Sequence, residues 1–361
     1  MPAGGVRLLV MKGKAGIGPD EKKGRGLMKV AYLYGPRDLR LVEREPDELR
    51  PHEVRIQVTY TGICGTDLHV YDGLVFGAMT LPRPMGHEYA GRIVEVGAEV
   101  TGLQVGQRVT AMPSGACGRC VLCRTGRSAV CRQRYRSRTG SWAQEIVTPQ
   151  ELVYPLPDTV SDRAAALTEP LACAVRAVDR AELHTGDRVC IIGAGPIGLL
   201  VERVVLASGA QTVIVSEPSE YRRALAQRLG AHRVVDPRQE DLVGAVHELT
   251  DGLGADVVFE AVGLPATIEQ AIAVAAPGGM VVIIGVADRE ARASFLPQEL
   301  FWKELTIRAS RESTYGAERA IRWLSRLDFE PIITHVFPLE QVTQAIALAR
   351  SGAAGKILLQ P

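Results

Sequence analysis

The segment that most constrains the fold runs from Val189 to Gly198. An apolar strand, Val189 to Ile192, leads directly into Gly193-Ala194-Gly195-Pro196-Ile197-Gly198 and then into a helical pattern reaching Ser208. A strand that turns through glycines and restarts as a helix presents oriented backbone N–H groups at the helix N-terminus, a cradle for phosphate. Gly193 serves the tight turn, Gly195 lets the backbone approach a pyrophosphate, and Gly198 permits close helix-to-strand packing, with Pro196 and Ile197 opening the helix over the same site. The rhythm then repeats: strand Thr212 to Val215, helix Ser219 to Leu229, strand Val234 and Val235, helix Leu242 to Leu249, strand Val257 to Ala261, helix Thr267 to Ala275 and strand Met280 to Ile284. Such alternation, from Asp187 to about Ala309, predicts an α/β class with a doubly wound parallel sheet.

Glu217 ends the second of these strands, roughly 20 residues beyond the glycines, where a carboxylate accepts hydrogen bonds from the adenosine ribose of a dinucleotide. NAD is therefore the expected cofactor. A 2′-phosphate at that point would face a like charge, at a cost of about 1 to 4 kcal/mol at ~4 Å. Arg222 is read as an adenine or ribose contact, which keeps NADP as the alternative, and Arg223 as a solvated helix residue.

Upstream the texture differs. From Met28 to about Val153 short strands alternate with Gly and Pro, at Glu53 to Tyr60, Ala90 to Val96, Gln107 to Ala111 and Ala143 to Val147. This half is β-rich. From Asp162 the apolar positions Ala164, Leu167, Leu171, Val175 and Val178 take helical spacing, predicting one helix that leads out of it. With 361 residues, 46% hydrophobic and 23% charged, the chain can fill two cores. Its net charge of +1 supplies no global field for nucleic acid or an anionic membrane, so a small molecule is the expected partner. Apolar runs stay well below the ~20 residues of a membrane helix. Residues 1–27, rich in Gly and Lys, read as a disordered leader without a secretory core, and a cytoplasmic home is expected.

Four of the seven cysteines, Cys117, Cys120, Cys123 and Cys131, follow C-x2-C-x2-C-x7-C in a loop rich in Gly and Arg. In a reducing compartment this spacing points to metal rather than disulfides. Four thiolates close a tetrahedral zinc site and leave no position for substrate, so the expected role is structural.

A second constellation is dispersed: Gly62-Ile63-Cys64-Gly65-Thr66-Asp67, and G-H-E-x2-G-x5-G-x2-V from Gly86 to Val100. Together with the cysteine lobe and the nucleotide turn, these runs resemble the zinc-containing medium-chain dehydrogenases, over Met28 to Pro361. Within that family G-I-C-G-T-D-L-H, T-E-P-L-A and S-E-P-S-E-Y-R-R are most similar to the sorbitol (polyol), butanediol and threonine dehydrogenase branch. The resemblance implies a GroES-like β-rich catalytic domain over 28–176, a Rossmann domain over 177–309, and a segment over 310–361 that returns to the catalytic domain.

It also implies a second, catalytic zinc held by Cys64 and His87. Glu169 would replace a further thiolate found in other alcohol dehydrogenases, and Glu88 is a competing or exchanging carboxylate, so the third ligand stays open between them. Cys173 is read as a small buried thiol instead. Asp67 would accept from His87, and Thr66 followed by His69 would carry the substrate proton outward. The implied activity is hydride transfer from a secondary alcohol, a polyol or sugar alcohol, to NAD. L-threonine 3-dehydrogenase or 2,3-butanediol dehydrogenase is the alternative, and a non-catalytic NAD-binding redox sensor is an alternative of another class. A homotetramer is the oligomer implied.

Overall fold

The computed structural model describes residues 26–74, 80–311 and 315–361, so nearly all of the expected leader lies outside the described residues. Its centre is a six-stranded sheet in the order Arg233–Val235, Thr212–Ser216, Arg188–Ile192, Ala255–Glu260, Ala275–Ile283 and Thr306–Ala309, with every neighbouring pair parallel. The central strands Arg188–Ile192, Thr212–Ser216 and Ala255–Glu260 are mostly apolar and buried because both faces are covered. Val189, Ile191, Val213 and Val215 enter one buried cluster, while Cys190, Ile192 and Ile214 enter another. The helices Pro196–Ala207, Glu220–Leu229, Leu242–Glu248 and Pro265–Val274 supply the covering surfaces. The order in which strands are added reverses between Arg188–Ile192 and Ala255–Glu260, all strands staying parallel, and a crevice opens there outside their carboxyl ends.

The β-rich half is a sheet in the order Val153–Pro155, Arg108–Ala111, Tyr89–Val96, Glu53–Gly62, Lys356–Gln360 and Ile333–Pro338, with Glu145–Pro149 also paired to Glu53–Gly62. Leu358 and Leu359 stand opposite Gly62 and Thr61, so the last strand of the chain braces the loop that follows Gly62. GroES-like describes this half and Rossmann the other.

Two sequence expectations need correction. The single helix from Asp162 is two, Asp162–Ala165 and Thr168–Ala181. Pro170 is the cause: it has no N–H to give the carbonyl of Ala166, and its ring would clash there. Thr168 Oγ1 instead donates to Ala165 O at 2.7 Å, and the second helix starts afresh with Glu169 in its first turn. The strand expected from Met280 begins at Ala275, with an irregularity in its pairing between Ala255 and Val257 of the neighbouring strand. No helix among the described residues is long and apolar enough to cross a membrane.

Candidate active site

Cys64 precedes the helix Gly65–Tyr71, and His87 and Glu88 precede the strand Tyr89–Val96. Gly86 has φ +86°, and a Cβ there would lie 2.2 Å from Trp142 Cδ1, so glycine is required immediately before His87. Trp142 is fully buried and its Nε1–H donates to Gly62 O at 3.0 Å, tying the two loops together. The result is a cluster in which one ligand atom each of Cys64, His87 and Glu88 lies within 4.8 Å of the others. Asp67 serves both loops: Oδ2 accepts from Cys64 N–H at 3.0 Å, and Oδ1 lies 3.3 Å from His87 Nδ1, which leaves Nε2 as the nitrogen not engaged by Asp67. Burial opposes a charge on His87, but Asp67 and Cys64 outweigh it and hold the imidazolium well above the ordinary histidine range.

Glu88 is buried beside Lys356, also buried, and the two form an ion pair in which Lys356 Nζ also donates to Ile63 O at 2.9 Å. Burial opposes a charge on Lys356, but Glu88 and Cys64 outweigh it and hold the ammonium above its ordinary range. The other Glu88 oxygen, Oε1, is buried with no hydrogen-bond partner. An uncompensated carboxylate oxygen beside a thiol and an imidazole nitrogen is a donor set suited to a borderline-soft cation, so these residues fit a zinc ion. Glu169 lies outside the 4.8 Å group; it is buried on its helix, where Cys173 Sγ donates to its Oε1 at 3.7 Å.

Lys356 was the residue missed from sequence, although a lysine opening the apolar run Lys356–Gln360 was the signal available. Thr66 is half-buried on the first turn after Cys64, and His69, one turn further, lines the cleft described next.

That cleft, of about 550 Å³, is bounded by Cys64, His69 and Glu88 on one side and by Gly193, Gly195, Pro196, Ile197, Glu217 and Arg222 on the other. The turn is as tight as its glycines allow: Gly193 has φ +99°, and a Cβ on Gly198 would sit 1.8 Å from Gly193 O. Glu217 Oε2 accepts from Ala194 N–H at 2.8 Å and Oε1 from Ser219 N–H at 2.9 Å, so the carboxylate joins both ends of the crevice floor. Arg222 faces the cleft but gives its Nε–H to Ala354 O at 2.8 Å, in the C-terminal segment. Arg223 is not the solvated residue expected: it donates to the carbonyls of Glu217 and Pro218 and pairs with Asp236 at 3.1 Å, because the chain bends over it after the strand.

Away from the cleft, the Sγ atoms of Cys117, Cys120, Cys123 and Cys131 make a ring with separations of 3.9 Å (117 to 123), 3.5 Å (120 to 123), 3.7 Å (120 to 131) and 3.6 Å (131 to 117). Disulfides require about 2 Å. A tetrahedron of sulfurs about 2.3 Å from a central zinc has edges of about 3.8 Å, so the four thiols fit that ion. Their acidity is divided: the backbone N–H of Arg119 draws Cys117 down to about 6, whereas burial and the neighbouring thiols push Cys123 up to about 12.

Residues 50–158 match the alcohol dehydrogenase GroES-like domain, and residues 196–326 match the zinc-binding dehydrogenase domain. L-threonine 3-dehydrogenase of Pyrococcus abyssi is 38% identical over 92% of this chain and 97% of its own. This chain belongs to the zinc-containing medium-chain alcohol dehydrogenases. Sorbitol dehydrogenase of Halalkalibacterium halodurans, another member, is 35% identical over 86% of this chain and 92% of that one. A zinc-binding dehydrogenase from Sinorhizobium meliloti, solved bound to NADP, superposes with a TM-score of 0.88 at 30% identity, covering 93% of this chain and all of that one. The chain is thus an oxidoreductase of the zinc and NAD(P) type, in the threonine- and sorbitol-like branch of its family.

Proposed function

We propose that this dehydrogenase oxidises a small secondary alcohol with NAD, and that its substrate is a polyol or sugar alcohol. The observation that carries the reading is that Cys64 and Glu88 share one cleft with the glycine turn. Cys64, His87 and one carboxylate, Glu88 or Glu169, would hold a catalytic zinc, and the cysteine lobe a structural one. When bound, zinc lowers the pKa of an alcohol hydroxyl and NAD accepts a hydride. The chain's own part is positional. Asp67 orients His87, and Lys356 holds Glu88 by one oxygen while the other, buried, has no hydrogen-bond partner. Thr66 takes the hydroxyl proton and His69, on the same helix and in the cleft wall, passes it to solvent. Pro196 and Ile197 open a helix whose N–H groups face the pyrophosphate position, with Gly193, Gly195 and Gly198 giving the clearance. Glu217 accepts from the ribose and disfavours a 2′-phosphate, and Arg222 flanks the adenosine.

A neutral substrate agrees with the charges around the cleft. Asp72 is paired with Arg37 and Arg350, and Lys356 with Glu88. An amino acid would need partners for both an ammonium and a carboxylate. L-threonine is nonetheless a second reading, favoured by the relatives at up to 38% identity that carry the name L-threonine 3-dehydrogenase. We also assign the molecule to a homo-oligomer, a tetramer by family likeness, working in the cytoplasm.

The test is NADH formation over sorbitol, xylitol, 2,3-butanediol and L-threonine, with and without chelator, beside metal analysis. Turnover of the polyols that chelation abolishes, with two zinc ions per chain, is expected. Turnover of L-threonine alone would put the second reading first. One zinc per chain and no turnover would leave an NAD-binding sensor.

A further inference from the structure

Beside Glu217 the chain gathers charges that the proposed reaction does not use. Glu217 leaves the strand Thr212–Ser216, and Asp236 leaves the neighbouring parallel strand Arg233–Val235, with Glu217 N–H donating to Val235 O at 3.0 Å. The two acids therefore emerge side by side at the carboxyl edge of the sheet, where dinucleotides bind in folds of this kind. Two guanidinium groups close on the same place. Arg223 donates from Nη1 to Glu217 O at 2.9 Å and Pro218 O at 2.8 Å, and stands 3.1 Å from Asp236 Oδ2. Arg238 donates to Pro218 O as well, and reaches Asp236 through Nε at 3.0 Å and Nη2 at 2.9 Å. Asp236 is buried with its side chain 8% exposed, so it is fixed between the two cations rather than dangling in solvent.

We infer that Asp236 is a second determinant of cofactor choice: it holds Arg223 and Arg238 as charge-compensated partners and so withholds them from a ribose 2′-phosphate. The inference rests on the proposed dinucleotide site. Glu217 alone repels the phosphate in the simplest account, and its removal should then suffice to admit NADP. Here removal of Glu217 leaves both arginines tied to Asp236. A dianionic phosphate would have to displace a carboxylate already bound in a bidentate arrangement to Arg238. Only when both carboxylates are neutralised do two uncompensated guanidinium groups border the ribose, the arrangement that suits a phosphate.

The experiment measures binding of AMP and adenosine 2′,5′-bisphosphate, which differ by the 2′-phosphate alone, to the zinc-loaded full chain by calorimetry. Wild type should prefer AMP. Glu217→Ser should weaken AMP without producing a preference for the bisphosphate. Adding Asp236→Asn should raise bisphosphate affinity about tenfold or more over Glu217→Ser, the scale of one charge-assisted hydrogen bond. Arg223→Gln together with Arg238→Gln in that background should remove the gain. Asp236→Ser provides a second neutral variant if the asparagine perturbs the strand end, and thermal melts report whether each variant is folded. The inference is overturned if Glu217→Ser alone binds the bisphosphate as tightly as the double variant. It is equally overturned if the gain survives loss of both arginines, which would assign it to Arg222. Wild type that binds neither probe would overturn the dinucleotide reading itself, an outcome distinct from the other two.

Discussion

Asp67 concentrates two tasks in one side chain: it caps the loop at Cys64 and fixes the ring of His87. Partners of this kind typically contribute ~10- to 100-fold in metal affinity. Asp67→Asn should therefore release zinc from the Cys64 site at a chelator concentration lower by about that factor, while the four-cysteine ion stays bound. Equal retention of both ions would deny Asp67 the role. Glu202 is a different case, a carboxyl buried in the helix Pro196–Ala207 with no part in the cleft. Burial pushes it up to about 8, and the Ala231 amide and Arg203 draw it back only in part. Because the folded state keeps a proton that the unfolded state loses near 4.5, the group favours folding at low pH. That contribution is lost as pH rises from about 4.5 to about 8. Glu202→Gln should match wild type in thermal stability near pH 4.5 and exceed it by a few kcal/mol at pH 8. Melting curves whose separation does not change with pH would contradict this.

At the scale of elements, what was legible in the sequence depended on how many neighbours shared one signal. The parallel strands could be read because Val189 to Ile192 and Val257 to Phe259 are buried on both faces, so apolar character is continuous and the glycine turn marks the end. Period alone misjudged the helix from Asp162, since Leu167 and Leu171 keep helical spacing across a break that Pro170 imposes. The cysteine spacing conveyed its cluster because all four ligands lie in one short loop. The Cys64, His87 and Glu88 group needed a family likeness, its members being brought together by sheet pairing, and Lys356 came from the far end of the chain. The cysteine lobe makes an element-scale prediction. Between Cys117 and Cys131 the buried residues are Ala129 and Cys131, too few for a core, so a metal held by the proposed four-cysteine site would supply the missing constraint. Arginines at 119, 124, 127, 132, 134, 136 and 138 offer trypsin a ladder of cleavage sites there. Cys120→Ser should be cut in this segment about tenfold faster than wild type, as local opening becomes easier. Unchanged cleavage would show that the lobe is ordered without its ion.

For the whole molecule, the parallel sheet has an end that the fold does not finish. Thr306–Ala309 pairs with Ala275–Ile283 on one side and, among the described residues, closes the strand order on the other, so its outer N–H and C=O groups form an open edge there. Such edges are usually short, charged or covered; this one carries Ile307 and Arg308 and follows in the chain the helix Pro297–Lys303, which packs on the neighbouring strand Ala275–Ile283. Phe301 and Trp302 on that helix are each 72% exposed, and Leu296 before it is 71% exposed. Aromatic side chains bury about 150 to 250 Å² each, so solvent exposure of this pair forfeits a large apolar area that a second copy could cover. A two-fold axis at the edge would set Ile307 against its own mate and turn two six-stranded sheets into one, satisfying the backbone and the apolar patch together. Sedimentation should then give a species at least twice the 38.9 kDa of the chain. Trp302→Glu combined with Ile307→Lys should shift it toward the monomer, because each charge would be buried twice across the axis, while the Cys64 zinc is retained. A wild type that sediments as a monomer, or a double variant that keeps the larger mass, would mean that association, if any, uses another face.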